Sequence, residues 1–344
     1  MTAAAGPGRQ GRGRPLSRRR ALGLAAATGA LGLSGCAVLP RDRAAPGILW
    51  QGGLPVAIAA FGDQVAIADT YRNEILLFAE GREVFRVQGQ SNGFLSNSGA
   101  GSGVLLFSPD GRELAWVERT NDRGVLRILD IATREVRNHD LELTMPPAAR
   151  VLFWQNGYTT IAQLGERRHV DRNGRLTRPP ALPWLGVLAV VDGAEWLLFE
   201  ESGRVALLGP GAEAPVLLPF GRRPLNAVGQ AGLLAIQTPP TMEDHARGRA
   251  GLVHVIRLDA PSEPAVATLE FNPSRERAAQ LAWTSTHLLV RLVGGELRGY
   301  RIADWRLDWT IDPGAPGGAN FAVGDGVVYL TTTHSVRRFP LPPG

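Results

Sequence analysis

The sequence predicts an all-β fold, a single β-propeller of about seven four-stranded blades, from three observations. After Pro46 almost every apolar run is short, rich in β-formers, and closed by Gly, Asp, Asn or Pro. No stretch shows a helical period. The runs fall into groups of four that recur about every 44 residues, which is the blade period of a propeller. Two sandwich domains, the alternative, would need a linker in mid-chain, and the sequence contains none.

Seven groups of strands follow one another along the chain, and six or eight blades are the alternatives. The groups begin near Leu54, Val104, Ala149, Leu185, Pro224, Ala278 and Ala319. The last group supplies three strands, at 319–323, 327–332 and 334–339, before the sequence ends. We expect Gly47–Gln51 to supply its outer strand, because pairing the first and last strands closes the ring and leaves no free edge.

Three local motifs resemble the repeats of known propeller families. Phe107–Trp116 (FSPDGRELAW), followed by Leu126–Asp130, resembles the Phe-Ser-Pro-Asp-Gly repeat of TolB-type and WD40-like propellers. Val65–Thr70 with Asn73–Ile75 resembles an NHL-type repeat, and Val323–Tyr329 resembles the repeat of pyrroloquinoline-quinone-type and BamB-type propellers. Each resemblance covers one blade, so together they imply the architecture and not a specific function.

The N-terminal segment has the pattern of a secretory signal. Six arginines precede an apolar stretch at Ala21–Ser34: Arg9, Arg12, Arg14, Arg18, Arg19 and Arg20. The stretch is too short to span a bilayer core of about 30 Å, which argues against a permanent transmembrane helix. Leu33 and Ser34 lie at the end of this stretch. Gly35 follows them and precedes Cys36, the only cysteine of the chain.

The run Leu33-Ser34-Gly35-Cys36 resembles the lipobox of bacterial lipoproteins, at which a signal peptidase cuts before a cysteine that carries diacylglycerol. The resemblance implies that residues 1–35 form a cleaved signal peptide and that Cys36 is the lipid attachment site. Residues 36–46 would then form the lipidated cysteine and a tether, at most about 35 Å long when extended. Residues 47–344 would form the propeller domain.

Arg18 and Arg19 also resemble the pair in a twin-arginine signal, which implies export of the folded protein; the general secretory route is the alternative. Ala21 departs from this pattern, which prefers Phe there. We therefore expect an exported, membrane-anchored lipoprotein. In a host with two membranes, Ala37 lacks the Asp that resembles an inner-membrane retention signal, which favours the periplasmic side of the outer membrane. In a host with one membrane the protein would lie on its outer face.

The charge balance argues against a nucleic-acid partner. Six of the 37 basic residues precede Cys36, which leaves 31 against 32 acidic residues in the processed chain. A nucleic-acid binder needs a basic surface to neutralise phosphates, and the processed chain has no basic excess. All basic residues are Arg, which excludes Schiff-base lysine chemistry.

The connections between strands predict two unequal faces. With strands named a to d from the axis outward, the a–b and c–d turns share one face, here the tight-turn face. The b–c turns and d–a crossovers share the other, here the long-loop face. The tight turns are predicted at Phe61–Asp63, Glu80-Gly81, Asn173-Gly174, Asp192-Gly193, Pro210-Gly211 and Gly324–Gly326. The long segments are predicted at Gly89–Ser102, Asp140–Ala148, Thr238–Ala250 and Asp312–Gly318.

Thr238–Ala250 is the candidate binding loop, since long loops on a rigid scaffold commonly carry binding surfaces. Its candidate residues are Met242, Glu243, Asp244, His245, Arg247 and Arg249. The alternative is that such loops only tolerate insertions.

Few residues point to chemistry. The six histidines are dispersed with no ligand spacing, so no metal site is predicted. No nucleophile elbow and no phosphate-binding loop are present in the sequence, so no catalytic residue and no cofactor are predicted. Asp171–Gly174 is similar to the start of a calcium-binding loop but lacks the later acidic ligands of such a loop. We therefore predict a hairpin turn at these residues. Trp116, Trp196 and Trp283 lie in strands and are predicted to be core residues.

These observations predict a lipid-anchored extracytoplasmic propeller that acts as a binding scaffold. Its partners would be the membrane, through Cys36, and a protein or an extended peptide or glycan on the long-loop face. The alternative is a propeller enzyme of the quinoprotein dehydrogenase, lactonase or glycan lyase type. Charged residues converging at the axis on the long-loop face would favour the enzyme, whereas an apolar or mixed rim would favour the scaffold.

Replacing Cys36 tests the lipid anchor. We expect Cys36→Ala to leave the propeller folded and to convert the protein from membrane-bound to soluble or unprocessed precursor. Two or more acyl chains, at about 0.8 kcal/mol per buried CH₂, hold a protein stably on a membrane. Membrane fractionation and the mass of the N-terminal peptide measure this. A wild-type protein that washes off with salt and carries no lipid mass would contradict it.

Overall fold

The computed structural model describes residues 47–89, 105–120, 123–144, 149–154, 157–162, 165–183, 186–221, 223–239, 251–271, 278–314 and 320–342. Within these ranges all regular structure is β-strand, arranged as seven four-stranded antiparallel sheets. None of the described segments forms a helix long and apolar enough to cross a membrane. The sheets are the blades of a seven-bladed propeller, which confirms the predicted fold class.

Blades 1 to 4 each use four strands in chain order, a to d. Blade 1 contains β2 (Pro55–Phe61), β3 (Gln64–Asp69), β4 (Glu74–Ala79) and β5 (Arg82–Gln88). Blade 2 contains β6 (Leu105–Phe107), β7 (Glu113–Thr120), β8 (Arg123–Asp130) and β9 (Val136–Thr144). Blade 3 contains β10 (Ala149–Trp154), β11 (Gly157–Ala162), β12 (Arg167–Asp171) and β13 (Leu176–Thr177). Blade 4 contains β14 (Val187–Val191), β15 (Ala194–Glu201), β16 (Arg204–Leu208) and β17 (Val216–Leu217).

Blades 5 and 6 follow the same order, and blade 7 joins both ends of the propeller domain. Blade 5 contains β18 (Asn226–Gln230), β19 (Leu233–Thr238), β20 (Gly251–Arg257) and β21 (Ala267–Phe271). Blade 6 contains β22 (Ala278–Trp283), β23 (His287–Leu292), β24 (Leu297–Arg301) and β25 (Leu307–Ile311). Blade 7 contains β26 (Phe321–Gly324), β27 (Val327–Thr331), β28 (Ser335–Pro340) and, as its outer strand, β1 (Gly47–Gln51).

The middle strands are apolar because each blade packs against a neighbour on both faces. In blade 6, every residue of β23 is buried, whereas the outer strand β25 is mostly exposed. A strand buried on both sides has a continuous apolar run and not an alternation of apolar and polar residues. The cores therefore lie between blades. One such cluster joins Ala66 and Ile75 of blade 1 to Leu114 and Trp116 of blade 2.

The ring closes through an antiparallel pair between β1 and β28, as predicted. Gly47 pairs with Arg338 and Gln51 pairs with Ser335. Trp50, on β1, is 8% exposed and belongs to the core cluster shared by blades 7 and 1. The first strand therefore contributes both backbone hydrogen bonds and a large apolar side chain to the last blade.

The Phe-Ser-Pro-Asp-Gly motif forms the a–b turn of blade 2, as its residue types predict. The Ser108 hydroxyl donates to Asp110 Oδ1 at 2.6 Å and accepts from the backbone N–H of Glu113 at 3.0 Å. Gly111 has φ of 68°, and a Cβ at this position would lie 2.2 Å from the Phe61 ring. The motif therefore sets a turn that also packs against blade 1. Asp171–Gly174 likewise forms the c–d turn of blade 3, which confirms the predicted hairpin.

Two predictions about the connections are wrong. The a–b turns are short as expected, and Pro210-Gly211 forms the predicted turn, in which the Ala212 N–H donates to the Gly209 carbonyl at 3.2 Å. The c–d connections were expected to be uniformly tight, but 209–215 and 258–266 are each longer than a tight turn. Both contain prolines (Pro210 and Pro215; Pro261 and Pro264), which cannot donate to a sheet ladder and so delay the outer strand.

The segment Asp140–Ala148 is also mostly strand, because β9 continues to Thr144. Leu141 and Leu143 are buried between blades 2 and 3. Glu142, with φ of 51°, marks the irregular register that lets the strand continue. Only residues 145–148 remain as the crossover at this point.

The closure can be tested by comparing two apolar residues of β1. We expect Trp50→Ala to lower the free energy of unfolding by about 3–5 kcal/mol, because it removes a large buried side chain from the core between blades 7 and 1. Ile48→Ala is the control. Ile48 is 54% exposed on the same strand, and its loss is expected to change stability by about 0.5 kcal/mol or less. Denaturant titration measures both, and equal effects would contradict closure through β1.

Candidate binding site at the propeller axis

The residues that the sequence singled out lie outside the described residues. The predicted signal and lipid-attachment residues all precede residue 47: Arg18, Arg19, Leu33, Ser34, Gly35 and Cys36. The predicted binding-loop residues all fall in 240–250: Met242, Glu243, Asp244, His245, Arg247 and Arg249. Both remain predictions. The strand order does assign that loop to the b–c position of blade 5, because it joins β19 to β20.

A cavity of about 640 Å³ lies on the axis of the ring. Its walls come from the inner strands of blades 1, 2, 4, 5, 6 and 7. The most exposed lining residues are Phe61, Pro109 and Gly193, which lie at or beside a–b turns. The cavity therefore opens on the tight-turn face.

Among the residues that the structure describes, the lining of this cavity is uncharged. Half-buried apolar side chains from six inner strands form its wall: Ala60, Leu106, Val190, Val228, Ala282 and Val323. A deeper buried layer forms its floor: Ile58, Leu105, Ala227, Gln280 and Ala322. Gln280 is the polar member of that layer. Such a lining suits an apolar ligand or side chain, and the hydroxyl of Ser108, which also lines the cavity, is bonded to Asp110 and to the Glu113 N–H.

Buried amides surround the end of the axis nearer the long-loop face. Gln280 Nε2 donates to the carbonyl of Phe321 at 3.1 Å, and its Oε1 accepts from the Phe321 N–H at 2.7 Å. Gln237 donates to the carbonyl of Ala278 at 2.8 Å, and Asn320 donates to that of Val56 at 2.7 Å. Each amide bonds to the backbone near the start of the next blade's inner strand: Gln237 to β22, Gln280 to β26 and Asn320 to β2. These contacts hold the inner strands in register around the axis.

The mouth on the tight-turn face carries two aromatic residues. Phe61 is 38% exposed and lies 6.4 Å, centroid to centroid, from Phe107. Trp283 donates its indole N–H to the Val228 carbonyl at 3.0 Å and meets Trp305 edge to face at 6.2 Å. Trp116 is fully buried, and Trp196 and Trp283 are partly buried and pack against core clusters, as predicted for core residues. Trp283 also lines the mouth of the cavity.

A second cavity, of about 650 Å³, lies between blades 3 and 4 beside a polar cluster. Glu195, on β15, lines this cavity and binds three side chains of blade 3. Its Oε1 accepts from the Thr159 hydroxyl at 3.0 Å and lies 3.0 Å from His169 Nε2. Its Oε2 accepts from Arg167 at 2.9 Å. Both carboxylate oxygens are thus occupied, which fits a junction between blades and not a general base.

Burial raises the pKa of Glu195, but the contacts with His169, Thr159 and Arg167 outweigh it and hold that pKa below its ordinary value. The carboxylate is therefore ionised at neutral pH and binds the positive charge of Arg167. Sequence reasoning missed this cluster, because Glu195 is 26 to 36 residues away along the chain from its three partners.

A buried arginine lies between blades 6 and 7 near the long-loop face. Arg291, on β23, donates to the Thr331 carbonyl at 3.0 Å. Burial lowers the pKa of its guanidinium to about 10, and the charge of Asp312 opposes this shift. Asp312 begins the connection from blade 6 to blade 7. Arg291 therefore interacts both with blade 7, through Thr331, and with this connection, through the charge of Asp312.

The described histidines occupy separate blades. His287 lies 3.1 Å from Asp308, His254 stacks on Phe220 at 3.9 Å, and His334 lies 3.3 Å from the carbonyl of Gly53. Among the residues that the structure describes, no three His, Cys, Asp or Glu side chains are grouped so as to hold a metal ion.

No protein-family model matches this chain, and no curated protein matches it in sequence. Among solved structures the chain is similar to the crystal structure of the computationally designed Ika8 protein. That similarity has a TM-score of 0.56 and 11% sequence identity, and it covers 85% of this chain and 98% of the designed one. At this identity the likeness shows the fold alone. The fold is compatible with a binding scaffold and with an enzyme.

The Glu195 cluster predicts a pH-dependent stability. Because its folded pKa is lowered, Glu195 stabilises the fold above its unfolded pKa of about 4.3, and this contribution is lost as pH falls through the folded pKa. We expect Glu195→Gln to destabilise the protein by about 1–3 kcal/mol at neutral pH, since Arg167 loses a charged partner. The free energy of unfolding of this variant should also fall less steeply than that of the wild type as the pH is lowered. Glu200→Gln, at an exposed position of the same strand, is the control. Denaturant titrations from about pH 3 to pH 7 measure both. Parallel pH profiles for wild type and Glu195→Gln would contradict this account.

Proposed function

We propose that this protein is an exported lipoprotein, anchored through Cys36, which acts as a binding scaffold. It holds a protein partner, or an extended peptide or glycan, on its long-loop face. The observation that carries this proposal is the position of the two longest connections, 89–104 and 239–250. One joins blade 1 to blade 2 and the other joins β19 to β20, so both belong to the same face of a rigid ring.

The course of β1 supports an outward orientation of that face. Gly47 pairs with Arg338 near the end of β28, while Gln51 pairs with Ser335 at its beginning. Because β28 runs toward the tight-turn face, β1 begins near that face and ends near the long-loop face. A tether that joins Cys36 to Gly47 therefore attaches on the tight-turn side. The long-loop face then points away from the membrane and toward partners.

Exposed apolar residues on the described part of the long-loop face add to this support. Tyr71 is 80% exposed at the b–c turn of blade 1. The neighbouring Leu54 is also exposed, and its carbonyl accepts from the Thr70 N–H at 3.1 Å. Val293, at the b–c turn of blade 6, is half exposed. Tyrosine is among the residues that contribute most to binding energy at protein interfaces, and apolar surface such as that of Leu54 and Val293 is what the centre of an interface buries.

The uncharged lining that the described residues give the axial cavity favours the scaffold over the propeller enzymes considered as the alternative. Dehydrogenation, lactone hydrolysis and glycan cleavage all need groups that accept or donate protons beside the substrate. The described lining of the axial cavity consists of apolar side chains, the amide of Gln280 and the hydroxyl of Ser108, which is bonded to Asp110 and to the Glu113 N–H. That composition supports binding of an apolar group.

Two loop variants test the proposal. Replacing 238–250 by a Gly-containing turn of about four residues should keep the fold, because a tight hairpin can join β19 to β20. We expect it to abolish or strongly reduce recovery of partners in pull-downs. The matched control shortens 258–266, a long connection on the opposite face, and should leave recovery unchanged. Pull-downs are compared at equal folded concentration. The same partners at the same yield from the first variant would assign the binding surface elsewhere.

A further inference from the structure

We propose that the axial cavity is a binding site for a small organic cation with a hydrophobic body. This site opens on the tight-turn face and is separate from the partner surface proposed above. Three features of the cavity carry the inference: its size and apolar wall, the aromatic residues at its mouth, and the acidic residues of the turns around that mouth.

The size and wall of the cavity suit a small molecule. Its volume of about 640 Å³ falls in the range of about 300–1,000 Å³ that small-molecule sites occupy. Ala60, Leu106, Val190, Val228, Ala282 and Val323 are only half buried, so part of their apolar surface is open to water. A hydrophobic ligand body would remove that surface from water, which is favourable.

The two aromatic residues of the mouth are held in place by their neighbours. Trp283 is fixed by its hydrogen bond to the Val228 carbonyl and by its edge-to-face contact with Trp305. Phe61 packs beside Phe107 and against Gly111, where a side chain would collide with the Phe61 ring. Rings in fixed positions at a cavity mouth attract a cation through their quadrupoles, and quaternary ammonium groups are bound in this way.

The turns around the mouth are acidic. Asp63, Asp192 and Asp325 are exposed, and each lies within two residues of a residue that lines the cavity. Asp325 donates its backbone N–H to the Gly62 carbonyl at 3.0 Å, which keeps two of these turns adjacent. Asp110, in a fourth turn, already binds Ser108 and Arg172. Arg112 is the one basic residue of the described a–b turns, so the mouth favours a cation and disfavours an anion.

Three probes that differ only in their head group test this proposal on the purified protein in a non-ionic detergent. They are 4-phenylbutyl-trimethylammonium, 4-phenylbutanol and 4-phenylbutyl sulfate. Titration calorimetry should show saturable binding of one equivalent of the ammonium compound. We expect the alcohol to bind about tenfold more weakly and the sulfate more weakly still, because aromatic rings and carboxylates stabilise positive charge alone. Equal binding of the ammonium compound and the sulfate, or unsaturable binding, would overturn the proposal.

Two sets of substitutions assign the binding to the axis. The triple variant Asp63→Asn, Asp192→Asn and Asp325→Asn should weaken binding of the ammonium compound about tenfold and leave the alcohol unchanged. The matched control, Glu135→Gln, Glu213→Gln and Glu263→Gln, removes three exposed charges from c–d turns of the same face and should change neither. Ala282→Trp should fill the cavity and weaken all binding at least about tenfold.

Equal losses of affinity for the ammonium compound in the two triple variants would mean that the net charge of the protein attracts the cation and that the aspartates around the mouth have no special role. This result would overturn the proposal. Unchanged binding in Ala282→Trp would overturn it as well. The variant shortened at 238–250 should bind the ammonium compound like the wild type, so this test and the partner test can fail independently.

Discussion

The pairing of β1 with β28 is the contact on which the rest of this structure depends. Every other blade is made from one continuous segment, whereas blade 7 needs the first strand of the domain to complete it. Without β1, the edge of β28 would be unpaired, and the core cluster between blades 7 and 1 would lose the Trp50 side chain. The pairing also sets the side of the ring at which β1 begins, since Gly47 pairs with Arg338 near the end of β28.

The ring is reinforced by contacts that differ from junction to junction. Blades 4 and 5 are joined by an apolar cluster that includes Val205, Leu234 and Ile256. At each other junction, a described side chain makes a polar contact with the next blade: Arg127 with Gln88, Tyr158 with Glu113, Arg167 with Glu195, Gln237 with Ala278, Gln280 with Phe321, and Asn320 with Val56. Buried hydrogen bonds of this kind fix register, because a shifted blade would leave its polar groups unpaired.

The architecture could be predicted from the sequence because a blade is a local structure. Its four strands and their turns lie within one period of the chain, and the closing strand follows from counting strands in the last group. The Phe-Ser-Pro-Asp-Gly turn was predictable for the same reason, since Ser108, Asp110 and Gly111 act on their own neighbours. The c–d connections were mispredicted because prolines displaced the outer strands, and the extent of β9 depended on burial of Leu141 and Leu143 between two blades.

The sites were harder to predict, since they form only when the ring closes. Phe61 and Trp283 are far apart in sequence and meet at one cavity mouth because both end inner strands. The aspartates of the a–b turns were visible as turn residues, but nothing local indicates that their turns surround the axis. The Glu195 cluster likewise needs two blades to be in contact.

Native-state amide hydrogen exchange of β1 tests the central claim most directly. If β1 closes the ring, its hydrogen-bonded amides should exchange only through global unfolding, with the same free energy and denaturant dependence as those of β23 in blade 6. Exchange of β1 through local fraying, at a much lower free energy than β23, would show that the ring does not depend on this strand.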